Sequence, residues 1–271
     1  MTDPLKKIFF LYGLILLTGM VGAAPAPVEK SRLTMTPGQY LEIGRRIWKN
    51  ECGGTFDGLT TWNAGEGFIS LGIGHFIWYP KDREFAFEES FPAFVQFARD
   101  RGAVIPAWIL KTPDCPWDSR EEFRKAFHQK PMTELRDFLS RNVPLQAEFI
   151  ARRLEQALPK MLATLPVPDR KPIAEKFYLV ASTPVGLYAL MDYVNFKGEG
   201  IKETERYQGQ GWGLLQVLQE MTMPVEGREA AREFSRAAGA VLVRRIENSP
   251  VERGEKRWRD GWLNRTATYR P

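Results

Sequence analysis

The stretch from Asn50 to Pro80, NECGGTFDGLTTWNAGEGFISLGIGHFIWYP, decides how the fold of this chain is interpreted. A pattern of apolar residues at helical spacing runs out at Glu51, and two glycines follow almost directly. Two runs with β-strand character come next, GLTTW and GFISLGIGHFIWY, joined by the turn-like sequence NAGEG. The stretch therefore predicts a helix end, a β-hairpin and three nearby acidic side chains: Glu51, Asp57 and Glu66.

The rest of the chain is typical of helices. Thr36 and Pro37 form a helix start, with a capping side chain followed by proline at the first helical position. Thr183 and Pro184 mark another start, and residues 185–196 are apolar nearly all round, which predicts a buried central helix. The predicted fold class is α+β and mostly helical, with a small β-hairpin lobe packed on a helical body. Other helical patterns cover 87–102, 118–129, 132–142, 145–165, 212–221, 227–248 and 250–263.

The N-terminus predicts export. Two lysines precede a short apolar run, and small residues follow it, as in a secretory signal peptide over residues 1–23. Residues 24–35 then form a tether, and residues 36–271 a single domain. We expect a periplasmic or secreted protein with no membrane contact after cleavage. An uncleaved membrane anchor is the alternative.

Composition and cysteine usage restrict the chemistry only loosely. The chain has 271 residues, 44% of them hydrophobic, and a formal charge of +5, which suits an anionic polymer but is also common in other proteins. Cys52 and Cys115 are predicted to form a disulfide after export, with two buried thiols as the alternative. Together with His75 and His128 they form no recognisable metal-binding pattern, so we expect neither metal nor cofactor.

A carboxylic acid at a helix end, facing a β-hairpin that supplies a second acidic group, meets the geometric requirement of glycoside cleavage. One carboxyl group must protonate the leaving oxygen, and a second usually acts as base or nucleophile. Glu51 meets the first requirement. Glu66 is one candidate for the second carboxyl group, because in an extended strand its side chain would point to the same face as that of Ser70. Asp57 is the other candidate, but it follows Gly53 and Gly54, where a role in the turn is easier to explain.

The same residues resemble the phage-type lysozymes (endolysins) of the lysozyme-like superfamily. In that family a Glu ends the first helix, and a hairpin leads to a strand with the sequence Thr-x-Gly-x-Gly-His. Here Glu51 matches the Glu, and the segment from Ser70 to His75 matches the strand, with Ser in place of Thr. The segments ALMDYVNFKGEG, GLLQVLQEM and RRIENSPVERGEKRW resemble later parts of the family, whereas residues at about 80–183 have no counterpart and form an extra helical region.

This resemblance implies a glycosidase that cleaves peptidoglycan or a related amino-sugar polymer. We expect the exported protein to act as a monomer and not to bind nucleic acid. The family's second acidic residue falls on Ala64, so Glu66 or Asp57 would have to replace it, or Glu51 would act alone as in a lytic transglycosylase. A chitosanase-like enzyme and a cell-wall-binding protein without turnover are further alternatives. The predicted catalytic residues are Glu51, Glu66 and Ser70, and the predicted substrate-binding residues are Trp62, Phe68, His75 and Asn195.

Overall fold

Helix α1 (Pro37–Cys52) begins and ends where the sequence predicts. The Thr36 side chain accepts a hydrogen bond from the backbone of Gln39, whose side chain accepts one from the backbone of Thr36. Gly53 ends the helix in the left-handed conformation, with φ of 62°. The chain therefore reverses direction just after Glu51 and leaves that side chain at the helix end.

The computed structural model describes residues 33, 35–83, 87–222 and 227–271. The predicted signal peptide (1–23) and nearly all of the predicted tether (24–35) lie outside the described residues. Residues Leu33–Pro271 group into one unit. No helix among the described residues is both long enough and apolar enough to cross a membrane.

The β-lobe is a three-stranded antiparallel sheet in the order β1 (Thr60–Thr61), β2 (Ile69–Leu71) and β3 (Phe76–Trp78). The second predicted β-run therefore contains two strands rather than one, so the expectation of a simple hairpin is corrected. The break has a local cause, because Gly72 adopts a positive φ of 66° and the chain turns there.

The remainder is helical, so the chain has the predicted α+β class, mostly helical with a small sheet. The helices after α1 are α2 (Phe91–Arg99), α3 (Ala107–Lys111), α4 (Arg120–Ala126), α5 (Lys130–Arg141), α6 (Val143–Ala163), α7 (Val167–Ala181), α8 (Pro184–Lys197), α9 (Leu214–Glu220), α10 (Arg228–Asn248) and α11 (Arg259–Ala267). Helix α8 is buried on all sides from Gly186 to Val194, as its apolar sequence predicts. It contacts α1, α6, α7, α9 and α10.

Two helices and one small sheet of the described structure are absent from the sequence-based prediction. They are the short helix α3, the longer helix α7 and a two-stranded antiparallel sheet, β4 (Arg206–Tyr207) and β5 (Gln210–Gly211). Strands of two residues offer no alternation to detect. Two 3-10 turns also replace the first part of the last predicted helix, at Val251–Arg253 and Glu255–Trp258.

The helical region at about 80–183 is integrated into the fold. Helix α6 packs along α1, and α2 packs between β3 and α6. The buried Gln146 of α6 reaches the β-lobe, where its side-chain oxygen accepts a hydrogen bond from the backbone of Ile73 at 2.9 Å. This region therefore supports the β-lobe from one side.

The predicted disulfide is wrong in this structure, since both cysteines are buried free thiols. Each sulfur instead contacts a nearby carbonyl oxygen at 3.6 Å, Cys52 that of Gly72 and Cys115 that of Trp117. Burial raises the pKa of both thiols to about 12, so neither is a reactive thiolate at neutral pH.

Candidate active site

Glu51 is a buried carboxylate at the C-terminal end of α1, with a side chain only 9% exposed. Residues from three other parts of the chain converge on it: His75 from the β-lobe, Asn195 from α8 and Arg265 from α11. A carboxylate in such a position must be paired or hydrogen-bonded, because an isolated buried charge is costly. Glu51 is therefore the centre of the cluster.

The turn between β2 and β3 presents His75 to Glu51. His75 has a positive φ of 45°, and its Nδ1 lies 3.4 Å from Glu51 Oε2. Gly72 opens the turn, and a Cβ at that position would lie 2.0 Å from the Oε1 of Gln146. Glycine is thus required at position 72 by its positive φ and by the close approach of Gln146, and the turn holds the imidazole at the carboxylate.

The Nε2 atom of His75 is left without a partner. It is buried and forms no hydrogen bond with any residue that the structure describes. Buried polar atoms are usually paired, so each exception needs an explanation.

Arg265 connects Glu51 to a second buried carboxylate. Its Nη2 donates to Glu51 Oε1, while its Nε and Nη2 donate to the two oxygens of Asp192 at 2.8 and 2.9 Å. Asp192 is fully buried in α8 and also accepts a 2.6 Å hydrogen bond from Tyr269. Asn195, one turn further along α8, donates to Glu51 Oε1 at 3.3 Å. One guanidinium therefore serves two carboxylates from different helices.

The charges around Glu51 keep it ionised in the free protein. Burial favours the protonated form, but the positive charge of Arg265, the imidazole of His75 and the hydrogen bonds from Arg265 and Asn195 outweigh it. The net effect holds the pKa of the Glu51 carboxyl below its ordinary value. Proton donation by Glu51 thus requires a change in these contacts.

The other two acidic candidates are engaged elsewhere. Asp57 is 60% exposed and lies 3.4 Å from the guanidinium of Arg136. Glu66 is partly buried in the turn between β1 and β2, where it accepts a 3.0 Å hydrogen bond from Asn63. Among the described contacts, none joins either residue to Glu51.

The remaining predicted residues lie within the β-lobe. Ser70 is 5% exposed in the middle of β2, paired with Thr61 on one side and Ile77 on the other. Trp62 and Phe68 are 5% and 6% exposed. Trp62 packs against Phe123, and Phe68 packs edge-on against Tyr79 and Phe87. Neither aromatic residue offers the free ring face that stacking on a sugar requires.

Sequence reasoning placed Glu51, His75 and Asn195 in the site, and the structure brings these three together. It missed Arg265 and Asp192. Asp192 had a detectable feature, because it is the one charged residue within the apolar segment 185–196. Arg265 had none, since 214 residues separate it from Glu51.

Within the described ranges, no three His, Cys, Asp or Glu side chains converge in a way that could hold a metal ion. Comparison with protein-family models, curated proteins and solved structures found no match for this chain. The functional argument therefore rests on the site itself.

Proposed function

We propose that the protein is an exported, lysozyme-like glycosidase that cleaves peptidoglycan or a related amino-sugar polymer as a monomer, with Glu51 as the general acid. The observation that carries this proposal is the convergence on one buried carboxylate. Glu51 ends a helix, and His75 of the Gly-x-Gly-His turn faces it across the junction with the β-lobe. Glycosidic bond cleavage uses a carboxyl group that is partly shielded from solvent in a cleft between two lobes.

The ionised state of Glu51 defines how the site would work. A general acid must carry its proton when the substrate oxygen arrives. Arg265 is anchored by two hydrogen bonds to Asp192, so it keeps a partner if its contact with Glu51 is lost. A sugar chain that displaced Arg265 from Glu51 and excluded water would raise the pKa of Glu51, because burial would then be opposed only by His75 and Asn195.

A lytic transglycosylase is the second candidate, and the surroundings of Glu51 favour it. In that chemistry a hydroxyl of the sugar attacks, so one acid/base carboxyl group is enough. What supports it is that both predicted second carboxylates are engaged by other side chains, Asp57 by Arg136 and Glu66 by Asn63.

Product analysis on purified peptidoglycan tests the proposal. Hydrolysis yields products with new reducing ends, and transglycosylation yields anhydro-sugars. Binding of the polymer without soluble products would support a cell-wall-binding protein and refute both enzymatic proposals. Glu66→Gln and Asp57→Asn, compared on the same substrate, show whether a second carboxylate takes part. A rate loss on the order of a hundredfold in one of them would identify it.

A further inference from the structure

Lys197 is a half-buried amine beside the candidate site with no polar partner among the described residues. It is the last residue of α8, two positions after Asn195. Its Nζ lies 3.8 Å from the ring centre of Phe196 and 3.5 Å from that of Trp262. An ammonium group has three hydrogen-bond donors, and aromatic faces satisfy its charge only in part. The side chain is therefore held in place while its donors remain free.

The same ring system connects Lys197 to Glu51. The guanidinium of Arg265, which binds Glu51, lies 3.9 Å from the ring centre of Phe196. The Phe196 ring in turn packs edge-on against Trp262, with ring centres 6.2 Å apart. Because Asn195 on the same helix end also contacts Glu51, a ligand that covers Glu51 would come close to the amine.

The charged groups that face Lys197 are Arg245 of α10, Arg265 of α11, Glu255 of the 3-10 turn before α11, and Glu51. Both carboxylates are already occupied, since Glu255 accepts two hydrogen bonds from Arg245, at 2.9 and 2.8 Å, and Glu51 accepts from Arg265. Burial, followed by the two guanidinium groups, lowers the pKa of Lys197 to about 6. Burial therefore disfavours the charged form of this amine as long as no acceptor lies beside it.

We propose that Lys197 recognises a carboxylate carried by the sugar chain that binds beside Glu51. This inference rests on the proposed function and names the substrate class more closely, as an amino-sugar polymer with free carboxylates, such as glycan strands that carry no peptide on their lactyl groups. The ligand carboxylate supplies the acceptor that the protein lacks, between aromatic walls that limit its hydration. The amine takes up one proton from solvent as the carboxylate binds, so a charged pair forms and no covalent bond changes.

Calorimetry on the Glu51→Gln protein, which holds the ligand without turnover, tests this recognition. The ligands are a peptide-free tetrasaccharide of alternating N-acetylglucosamine and N-acetylmuramic acid, the same compound with its lactyl carboxylates amidated, and the neutral chitotetraose. We expect the acidic ligand to bind about tenfold or more tighter than its amide, the usual contribution of one charge-assisted hydrogen bond. Titrations at pH 7 in two buffers of different ionisation enthalpy should show proton uptake for the acidic ligand alone.

Lys197→Met, added to the same background, should remove both the preference for the acidic ligand and the proton uptake. Lys171→Met is the matched control, because it removes a lysine whose side chain is 86% exposed on α7 and pairs with Glu175 of the same helix, and it should change neither. If Lys197→Met does not fold, as judged by thermal melting, proton uptake with the lysine intact supports the inference and its absence overturns it.

The two proposals fail in different ways. Equal affinity for the acidic ligand and its amide, in a protein whose wild type cleaves peptidoglycan, overturns the role of Lys197 and leaves the glycosidase proposal standing. Failure of all three oligosaccharides to bind, together with the absence of products from peptidoglycan, overturns both.

Discussion

Replacing Arg265 by Met should destabilise the protein strongly at neutral pH. Arg265 is 10% exposed, and its two partners, Glu51 and Asp192, are 9% and 0% exposed. Removal of one member of a buried ion pair typically costs about 3–5 kcal/mol, because the other charge is left uncompensated. Asp192 retains hydrogen bonds from Tyr269 and Asn50, so we expect a loss near the lower limit, about 3 kcal/mol.

The loss should depend on pH in a defined direction. In the wild type the pKa of Glu51 is lowered, so this group contributes stability above its unfolded pKa, and the contribution disappears as the pH falls through the folded pKa. Without Arg265, burial dominates and raises the pKa of Glu51, which makes its ionisation a cost at neutral pH. The stability difference between wild type and variant should therefore shrink as the pH approaches 4.

Urea unfolding at pH 7 and at pH 4, followed by circular dichroism, measures both effects. Arg236→Met is the control, since Arg236 is 49% exposed in its pair with Glu233 and such pairs contribute about 0.2–1 kcal/mol. The double variant Arg265→Met/Asp192→Asn should recover part of the loss, because it removes one uncompensated charge. A loss below about 1 kcal/mol at pH 7, or one that does not change with pH, would refute this account of the cluster.

Three further results are expected. The pKa of Glu51 is lowered from its ordinary 4.5 in the free protein, so kcat/KM should decline once the pH rises above the pKa of Glu51. A profile that stays flat to pH 8 would argue against Glu51 as the acid. In urea unfolding, Gly72→Ala should lower the free energy of unfolding by at least about 2 kcal/mol, because the new methyl group would clash at 2.0 Å at a residue that also has a positive φ. Gly65→Ala, where φ is positive but the space is open, should cost about 1 kcal/mol. Thiol titration should detect Cys52 and Cys115 only after unfolding, and no reactive thiol in the denatured, non-reduced protein would show that they are paired.

The parts of the fold that could be predicted from the sequence depend on local rules. Thr36 and Gly53 define α1 through capping, and the apolar composition of α8 predicts its burial. The split of the second β-run was also encoded locally, because Gly72 interrupts it. The position of Gln146 against the β-lobe was not, since it depends on a contact between residues 73 positions apart.

The candidate site shows the same division. Glu51 and His75 could be placed from one short stretch, because a helix end and a glycine-rich turn bring them together. Arg265 and Lys197 could not, because their importance comes from packing between α8, α11 and the end of α1. The charge state of Glu51 is a property of that packing, and a motif match alone would have suggested a raised pKa.

The rate of glycosidic bond cleavage by Glu51→Gln tests the central claim most directly. Wild type and variant are compared on the same purified peptidoglycan, after thermal melting has shown that both are folded. If Glu51 is the general acid, the variant should lose about 10²–10⁴-fold in rate. A variant that cleaves the polymer as fast as the wild type would contradict the assignment of Glu51 and, with it, the proposed mechanism.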